Sequence, residues 1–176
     1  MNARTEEPVV RRVVLSLGSN RGDRLAMLQG AVDSLADTPD LELLAVSTIY
    51  ETDPVGGPEQ PDYLNAVVVA EGPQSPRTLL ERALAVEDAY DRVRDVRWGP
   101  RTLDVDLIAV GELAVAEPDL QVPHPRAAER AFVLVPWLDA DPAAVLPGVG
   151  PVAQLLAVVD TSGVRACPDL VLTVPL

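Results

Sequence analysis

The chain has 176 residues, 48% of them apolar and only 3% aromatic, so it can build one core, mostly from Val, Leu and Ala, without disulfide staples. All fourteen cationic residues are arginine, set against 27 carboxylates for a net charge of −13. That balance argues against a long nucleic-acid tract or an anionic membrane surface as the main partner, and leaves room for a small anionic ligand wherever arginines cluster.

The lone Cys167 permits no internal disulfide, which suits a reducing cytoplasm. Arg11 and Arg12 break the first apolar stretch and spoil a signal-peptide core. The uncharged run 142–159 carries three prolines and two glycines, which deny it a continuous spanning helix. A soluble, cytoplasmic, monomeric protein is expected, with residues 1–12 as a flexible tail and 13–176 as one domain.

In chain order, VVLSLGSN from Val13 reads as a strand ending in a Gly-Ser-Asn turn, and Asp23 can cap the helix that follows. In that helix Leu25, Leu28, Val32 and Leu35 recur at three and four, with Gly30 inside, and TPD at 38–40 stops it. Leu41 to Tyr50 is expected to form one strand. ETDPVGGPEQPD, 51–62, is a loop longer than a simple connection needs, and such loops carry function disproportionately. YLNAVVVA, 63–70, returns as an antiparallel strand. Ser75 and Pro76 then supply an N-cap and a first-turn proline for a helix reaching about Asp91. A charged loop, Arg92 to Arg101, leads into the strand LDVDLIAV, and Gly111-Glu112 offers a hairpin turn into LAVA. VPHPR at 122–126 is stiffened by prolines on both sides of His124. A helix within 127–139, a Pro/Gly loop, a short helix after Pro151 and a last strand VLTV complete the order.

The sequence of elements is βαββαβ plus extras. Adjacent strands without helices between them argue for the α+β class: a ferredoxin-like, mostly antiparallel sheet with helices on its faces, an α/β/α sandwich. A doubly wound parallel sheet would need a helix between every pair of strands.

The stretch RWGPRTLDVDL, 97–107, concentrates opposite charges. In a strand, residues two apart share a face, so Asp104 and Asp106 point one way, together with Ile108 and Val110, while Leu103, Val105 and Leu107 point the other. Two carboxylates side by side on a partly buried face need a cation to offset their repulsion. Mg²⁺ accepts one or two carboxylates and completes its shell with water and phosphate oxygens. Arg92, Arg94, Arg97 and Arg101 precede the pair, and guanidinium forks match phosphate oxygens. The plainer reading is a solvated edge with loosely paired arginines.

Other chemistries find little support. One His and one Cys are too few for structural zinc, and no G-x-S-x-G or activated cysteine accompanies His124. GSNRGD, 18–23, fits neither phosphate-loop fingerprint and reads as a structural turn. Tyr50, Tyr90 and Trp137 are expected in the core. Tyr63 and Phe132 could instead hold a flat heteroaromatic ligand between them.

RWGPRTLDVDL, with QPDYLNAVV at 60–68, LGSNRGD at 17–23 and VPHPRAAERAFVL at 122–134, closely resembles the 6-hydroxymethyl-7,8-dihydropterin pyrophosphokinase family of folate biosynthesis, over about residues 13–142. The resemblance implies transfer of pyrophosphate from MgATP to a pterin hydroxymethyl group with release of AMP. It implies two Mg²⁺ ions held by Asp104 and Asp106, phosphate-contacting catalytic arginines at Arg92 and Arg101, and a mobile loop containing Arg94, Arg97 and Trp98. For ATP it implies Glu87, Leu107, His124 and Arg130 as well. For the pterin it implies stacking by Tyr63 and Phe132, a hydrogen bond from Asn65, and a loop reading the ring at Thr52, Asp53, Val55 and Gly56. Leu84, Asp95 and Asp119 depart from residues found in some relatives. Two other readings remain: a ferredoxin-like module binding phosphate or nucleic acid, which would want a basic footprint, and an inactive relative serving as an interaction domain.

Overall fold

The structure, a computed structural model, describes residues 6–90 and 103–176. Its frame is β1 (Arg11–Ser19), α1 (Arg24–Ala36), β2 (Glu42–Val46), β3 (Tyr50–Thr52), β4 (Tyr63–Gly72), α2 (Pro76–Tyr90) and β5 (Asp104–Val110). The strands run β3-β4-β1-β5, every pair antiparallel, with β2 also on β4. This is the split arrangement of a ferredoxin-like fold, in which each crossover helix returns the chain two places along the sheet.

Alternation along β1 separates two apolar layers. Val13, Leu15 and Leu17 face α1 and α2, joined by Leu28, Val32, Leu35, Leu79, Ala83 and Val86, all nearly inaccessible. Val14 faces the opposite way, with Val67 and Val69 of β4, and is covered by α3 (Ala131–Ala140) through Val133, Leu134 and Trp137. Helices on both faces make an α/β/α sandwich. Among the described residues no helix is long and apolar enough to cross a membrane.

Local signals explain the helices. The Asp23 side chain accepts a hydrogen bond from Ala26 N at 3.0 Å, capping α1, and Ser75 Oγ accepts from Thr78 N at 3.2 Å, capping α2. Gly30 weakens α1 in isolation, yet a Cβ there would lie within the Tyr90 ring at the end of α2. Glycine at 30 lets the Tyr90 ring lie directly against α1. Tyr90 and Trp137 join the core as expected, and Tyr50 is half-buried.

The structure differs from the expected elements at several points. The run Leu41 to Tyr50 is two strands, because Ser47 replaces backbone pairing with its side chain: Ser47 N donates to Val67 O at 2.9 Å while Val67 N donates to Ser47 Oγ at 2.9 Å. Alternation also fails late in β5. The pairing steps from Leu15–Leu107 to Val14–Ala109, leaving Ile108 as an inserted residue, so Val110 turns to the α1/α2 layer and does not share the face of Asp104 and Asp106. Gly111-Glu112 does turn the chain, but β6 (Val115–Glu117) pairs with β7 (Leu120–Val122) instead of β5. The helix expected within 127–139 is split: a 3₁₀ turn, Ala127–Glu129, precedes α3, and Arg130 between them is extended.

At the C-terminal end, β8 (Val145–Leu146) and β9 (Gly150–Pro151) form a small hairpin, followed by the short α4 (Val152–Leu156). No strand forms at 171–174; instead β10 (Val164–Ala166) adds antiparallel to β3 at the sheet edge. Edge pairing needs only free backbone groups on β3, and these carry no side-chain pattern.

Leu134 anchors the helix layer over the site face and is fully buried. Leu134→Ala should cost about 2–5 kcal/mol of unfolding free energy, as transfer loss plus a residual cavity. Urea denaturation with an unchanged m-value checks this; a loss below about 1 kcal/mol would contradict the packing described.

Candidate active site

The small and polar residues of the central strands all lie at one end of the α3-facing side. Ser16 pairs with Asp106 across β1 and β5, and Gly18 stands between Asp104 on β5 and Asn65 on β4. One step further out, Tyr63 pairs with Thr52. The result is a cavity of about 930 Å³, large enough for two organic ligands. A Cβ at Gly18 would approach Asn65 Oδ1 to 2.9 Å, so a side chain there would displace Asn65 from its place on the floor.

One half of the cavity is charged. Asp104 and Asp106 rise from β5 and face His124, Arg126, Glu129 and Arg130. The inserted Ile108 explains how His124 arrives: its carbonyl accepts from His124 N at 2.8 Å, attaching the segment after β7 to the β5 edge. A cis peptide joins Val122 to Pro123 just before. Extended Arg130 then leaves the helical path and sends its guanidinium to 3.9 Å from Asp106 Oδ2 and 5.4 Å from the Phe132 ring centroid. Phe132 thus carries a cation near one side of its ring.

Burial lowers the His124 pKa, Asp106 pulls it back up, and Arg130 and Arg126 push it down again. Its Nδ1 accepts from Arg126 N at 3.2 Å, so the neutral ring carries its proton on Nε2 and offers a donor. Burial likewise lowers the Arg130 pKa, while Asp106 opposes the change. Glu87, only 6% exposed, reaches from α2 and accepts from Val105 N at 2.9 Å, which fixes β5 beside the aspartates.

The side of the cavity toward β4 carries more aromatic and neutral polar residues. Tyr63 and Phe132 line it, with Asn65 and Thr52 between, and Asn65 Nδ2 donates to Thr52 Oγ1. Asp53, Pro54 and Val55 bring the long loop to its rim. That loop is pinned from below: buried Asn20 donates to Gln60 Oε1 and Pro61 O, each at 3.0 Å, which gives the GSN turn a structural task.

Of the expected site residues, Thr52, Asp53, Val55, Tyr63, Asn65, Glu87, Asp104, Asp106, His124, Arg130 and Phe132 line this one cavity. Leu107 does not; it is 5% exposed in the α1/α2 layer, since its odd register turns it away. Gly56 sits at φ 70° on the exposed loop, outside the lining. Arg92, Arg94, Arg97, Trp98 and Arg101 lie outside the described residues. Ser16 and Gly18 were missed, although their i, i+2 interruption of an apolar strand was a usable signal. Asp160, Ser162, Gly163 and Val164 also line the cavity, and no local pattern points to them.

A family model described as 7,8-dihydro-6-hydroxymethylpterin-pyrophosphokinase (HPPK) matches residues 14–142. The chain belongs to this family. Proteins named 2-amino-4-hydroxy-6-hydroxymethyldihydropteridine pyrophosphokinase resemble it over most of their lengths. That of Mycobacterium tuberculosis H37Rv is 51% identical over 159 residues, spanning 83% of this chain and 82% of the relative. Those of Methylorubrum extorquens and Pseudomonas aeruginosa are 44% and 39% identical, spanning 88% and 91% of this chain and 97% and 99% of theirs. The solved wild-type Plasmodium falciparum HPPK-DHPS with SDX-DHP superposes with a TM-score of 0.68 at 14% identity, over 87% of this chain and 45% of that one, a likeness of fold.

For an HPPK chain the donor set is informative. Among the described residues no group of three His, Cys, Asp or Glu side chains converges as a metal cage. Asp104 and Asp106 instead offer adjacent hard oxygens at the cavity wall, which fits Mg²⁺, an ion that keeps waters and accepts phosphate oxygens.

Removing the Glu87 acceptor strands a buried backbone donor. Glu87→Leu should cost about 1–3 kcal/mol, whereas Glu87→Gln, whose amide oxygen still accepts from Val105 N, should recover most of it. Thermal unfolding of both variants checks the pairing; equal losses would contradict it.

Proposed function

We propose that this cavity is where the protein transfers the β,γ-pyrophosphoryl group of ATP to the hydroxymethyl oxygen of 6-hydroxymethyl-7,8-dihydropterin, releasing AMP, a step of folate biosynthesis. The observation that carries the assignment is the paired aspartates and Arg130 at one end of a cavity whose other end holds Tyr63, Asn65 and Phe132, in a chain of the HPPK family.

AMP as leaving group fixes the bonds. The pterin hydroxymethyl oxygen attacks the β-phosphorus, the bond from that phosphorus to the α,β-bridging oxygen breaks with its electron pair leaving on AMP, and the hydroxyl proton is released to solvent. No covalent enzyme intermediate is needed, so positioning and charge compensation carry the acceleration. Asp104 and Asp106 would hold Mg²⁺, two ions by resemblance to the family, and the metal would supply compensation for charge on the phosphate oxygens. Arg92 and Arg101, outside the described residues, are assigned to the phosphates, and Arg94, Arg97 and Trp98 to the ATP side, as guanidinium forks suit phosphate oxygens. Arg130 and the Nε2–H of His124, both on the cavity wall, are further donors for phosphate oxygens, and Glu87 supports the ATP side through β5. Tyr63 and Phe132 stack on the pterin, Asn65 bonds its edge, and Thr52, Asp53 and Val55 read the rest of it. The protein acts as a cytoplasmic monomer on small molecules, with residues 13–176 as the catalytic domain and no nucleic-acid partner.

Incubation with MgATP and the reduced pterin alcohol, followed by chromatography of the nucleotides, should give AMP and a pyrophosphorylated pterin in equal amounts. ADP in its place, or no turnover, would overturn the assignment. Asp106→Ala should lower kcat by on the order of 10³-fold and abolish Mg²⁺-dependent ATP binding, several kcal/mol of charge compensation being lost. Its circular dichroism should be unchanged, because the Asp106 side chain is 40% exposed at the cavity wall. Wild-type rates in that variant would remove the metal assignment.

A further inference from the structure

The loop 51–62 reaches the cavity rim at Asp53 and ends at Asp62, and its mouth holds three carboxylates, Glu51, Asp53 and Asp62. A single guanidinium from the sheet edge reaches all of them: Arg165 Nη1 lies 2.9 Å from Asp53 Oδ1, and Nη2 lies 3.2 Å from Asp62 Oδ2 and 3.9 Å from Glu51 Oε1. Arg165 is held there by β10, whose Val164 pairs with Thr52 and whose Ala166 pairs with Tyr50. The backbone adds a second tie, from Asp53 N to Gly163 O at 3.1 Å, and Cys167 N donates to Ile49 O at 2.8 Å just beyond the strand. On the far side Arg24 bonds Glu51 Oε2 at 2.9 Å and Asp62 O at 3.0 Å.

We propose that Arg165 is a positioning residue for pterin binding: it clamps the two ends of the 51–62 loop together so that Thr52, Asp53 and Val55 are already in place when the pterin arrives. It touches no substrate itself. The clamp rests on the reading that this loop faces the pterin. A single exposed ion pair contributes little, but here one cation engages Asp53 and Asp62 from opposite ends of the loop, with Glu51 shared between it and Arg24, and an unclamped loop must be ordered at the expense of binding. The planar fork matters because two of its nitrogens engage opposite ends of the loop at once; an ammonium offers a single point of charge.

The test uses the full chain with Arg165→Met and Arg165→Lys, and Asn65→Ala as a control on the pterin half. Arg165→Met should raise KM for the pterin about three- to tenfold, leaving kcat and KM for ATP within about twofold. Amide hydrogen exchange in residues 53–62 should quicken by on the order of tenfold, with the exchange of β1 and β4 unchanged. Arg165→Lys should fall between wild type and Arg165→Met, and the gap should narrow in 1 M salt. Unchanged exchange in the loop, an unchanged pterin KM, or a loss shared equally by kcat and ATP binding would each overturn the clamp. If Asn65→Ala raises the pterin KM while Arg165→Met does not, the clamp alone falls. If neither variant moves it, the pterin assignment falls with the clamp.

Discussion

Everything at the site depends on the central strand β1 having two incompatible faces. Val13, Leu15 and Leu17 must be buried against α1 and α2, so Val14, Ser16 and Gly18 are committed to the other side. A one-residue slip would bury Ser16 and Gly18 under helices and expose the leucines, so the register of β4 and β5 on either side is strongly specified. That register alone puts Asp104, Asp106, Asn65 and Tyr63 on one floor. Gly18 and Ser16 are small in the middle of it because α3 covers only the Val14 end, and the uncovered end must leave room for ligands.

Charge at this floor is arranged by departures from regular structure. Ile108, inserted in β5, frees a carbonyl that holds His124, and extended Arg130 between two helical segments can turn back toward Asp106. A continuous helix over 127–140 would carry that guanidinium along its own surface. Both features cost regular hydrogen bonding, and both bring donors to the carboxylates. In an acidic chain a pair of aspartates lacking local cations would repel each other and any polyphosphate; Arg126 and Arg130 offset part of that repulsion.

Helices and the chemistry-bearing strand were legible because their signals are local. Asp23 and Ser75 cap where their side chains predict, and the spacing of Asp104 and Asp106 puts both on one face whatever the tertiary context. Signals failed where a long-range partner decides. Ser47 breaks the run from Leu41 to Tyr50 only because Val67 is present to bond its hydroxyl. Val110 changes sides because β1 imposes a bulge that its own sequence does not announce. Leu107 sits at an odd position between two aspartates and follows the same alternation into the core, so proximity in sequence misrepresents its place in the site.

The C-terminal segment shows the same limit from another direction. The family match ends at residue 142, yet residues 160–164 complete the cavity wall and β10 completes the sheet. Strand addition at an edge is carried by backbone N–H and C=O groups, which every residue except proline supplies, so such a wall can be kept with little constraint on side-chain identity. VRA could be replaced by many tripeptides and still pair with Tyr50 to Thr52. What that freedom does not extend to is the one side chain in the strand that reaches Glu51, Asp53 and Asp62 together, because only a long, forked cation spans the mouth of the loop from the edge of the sheet.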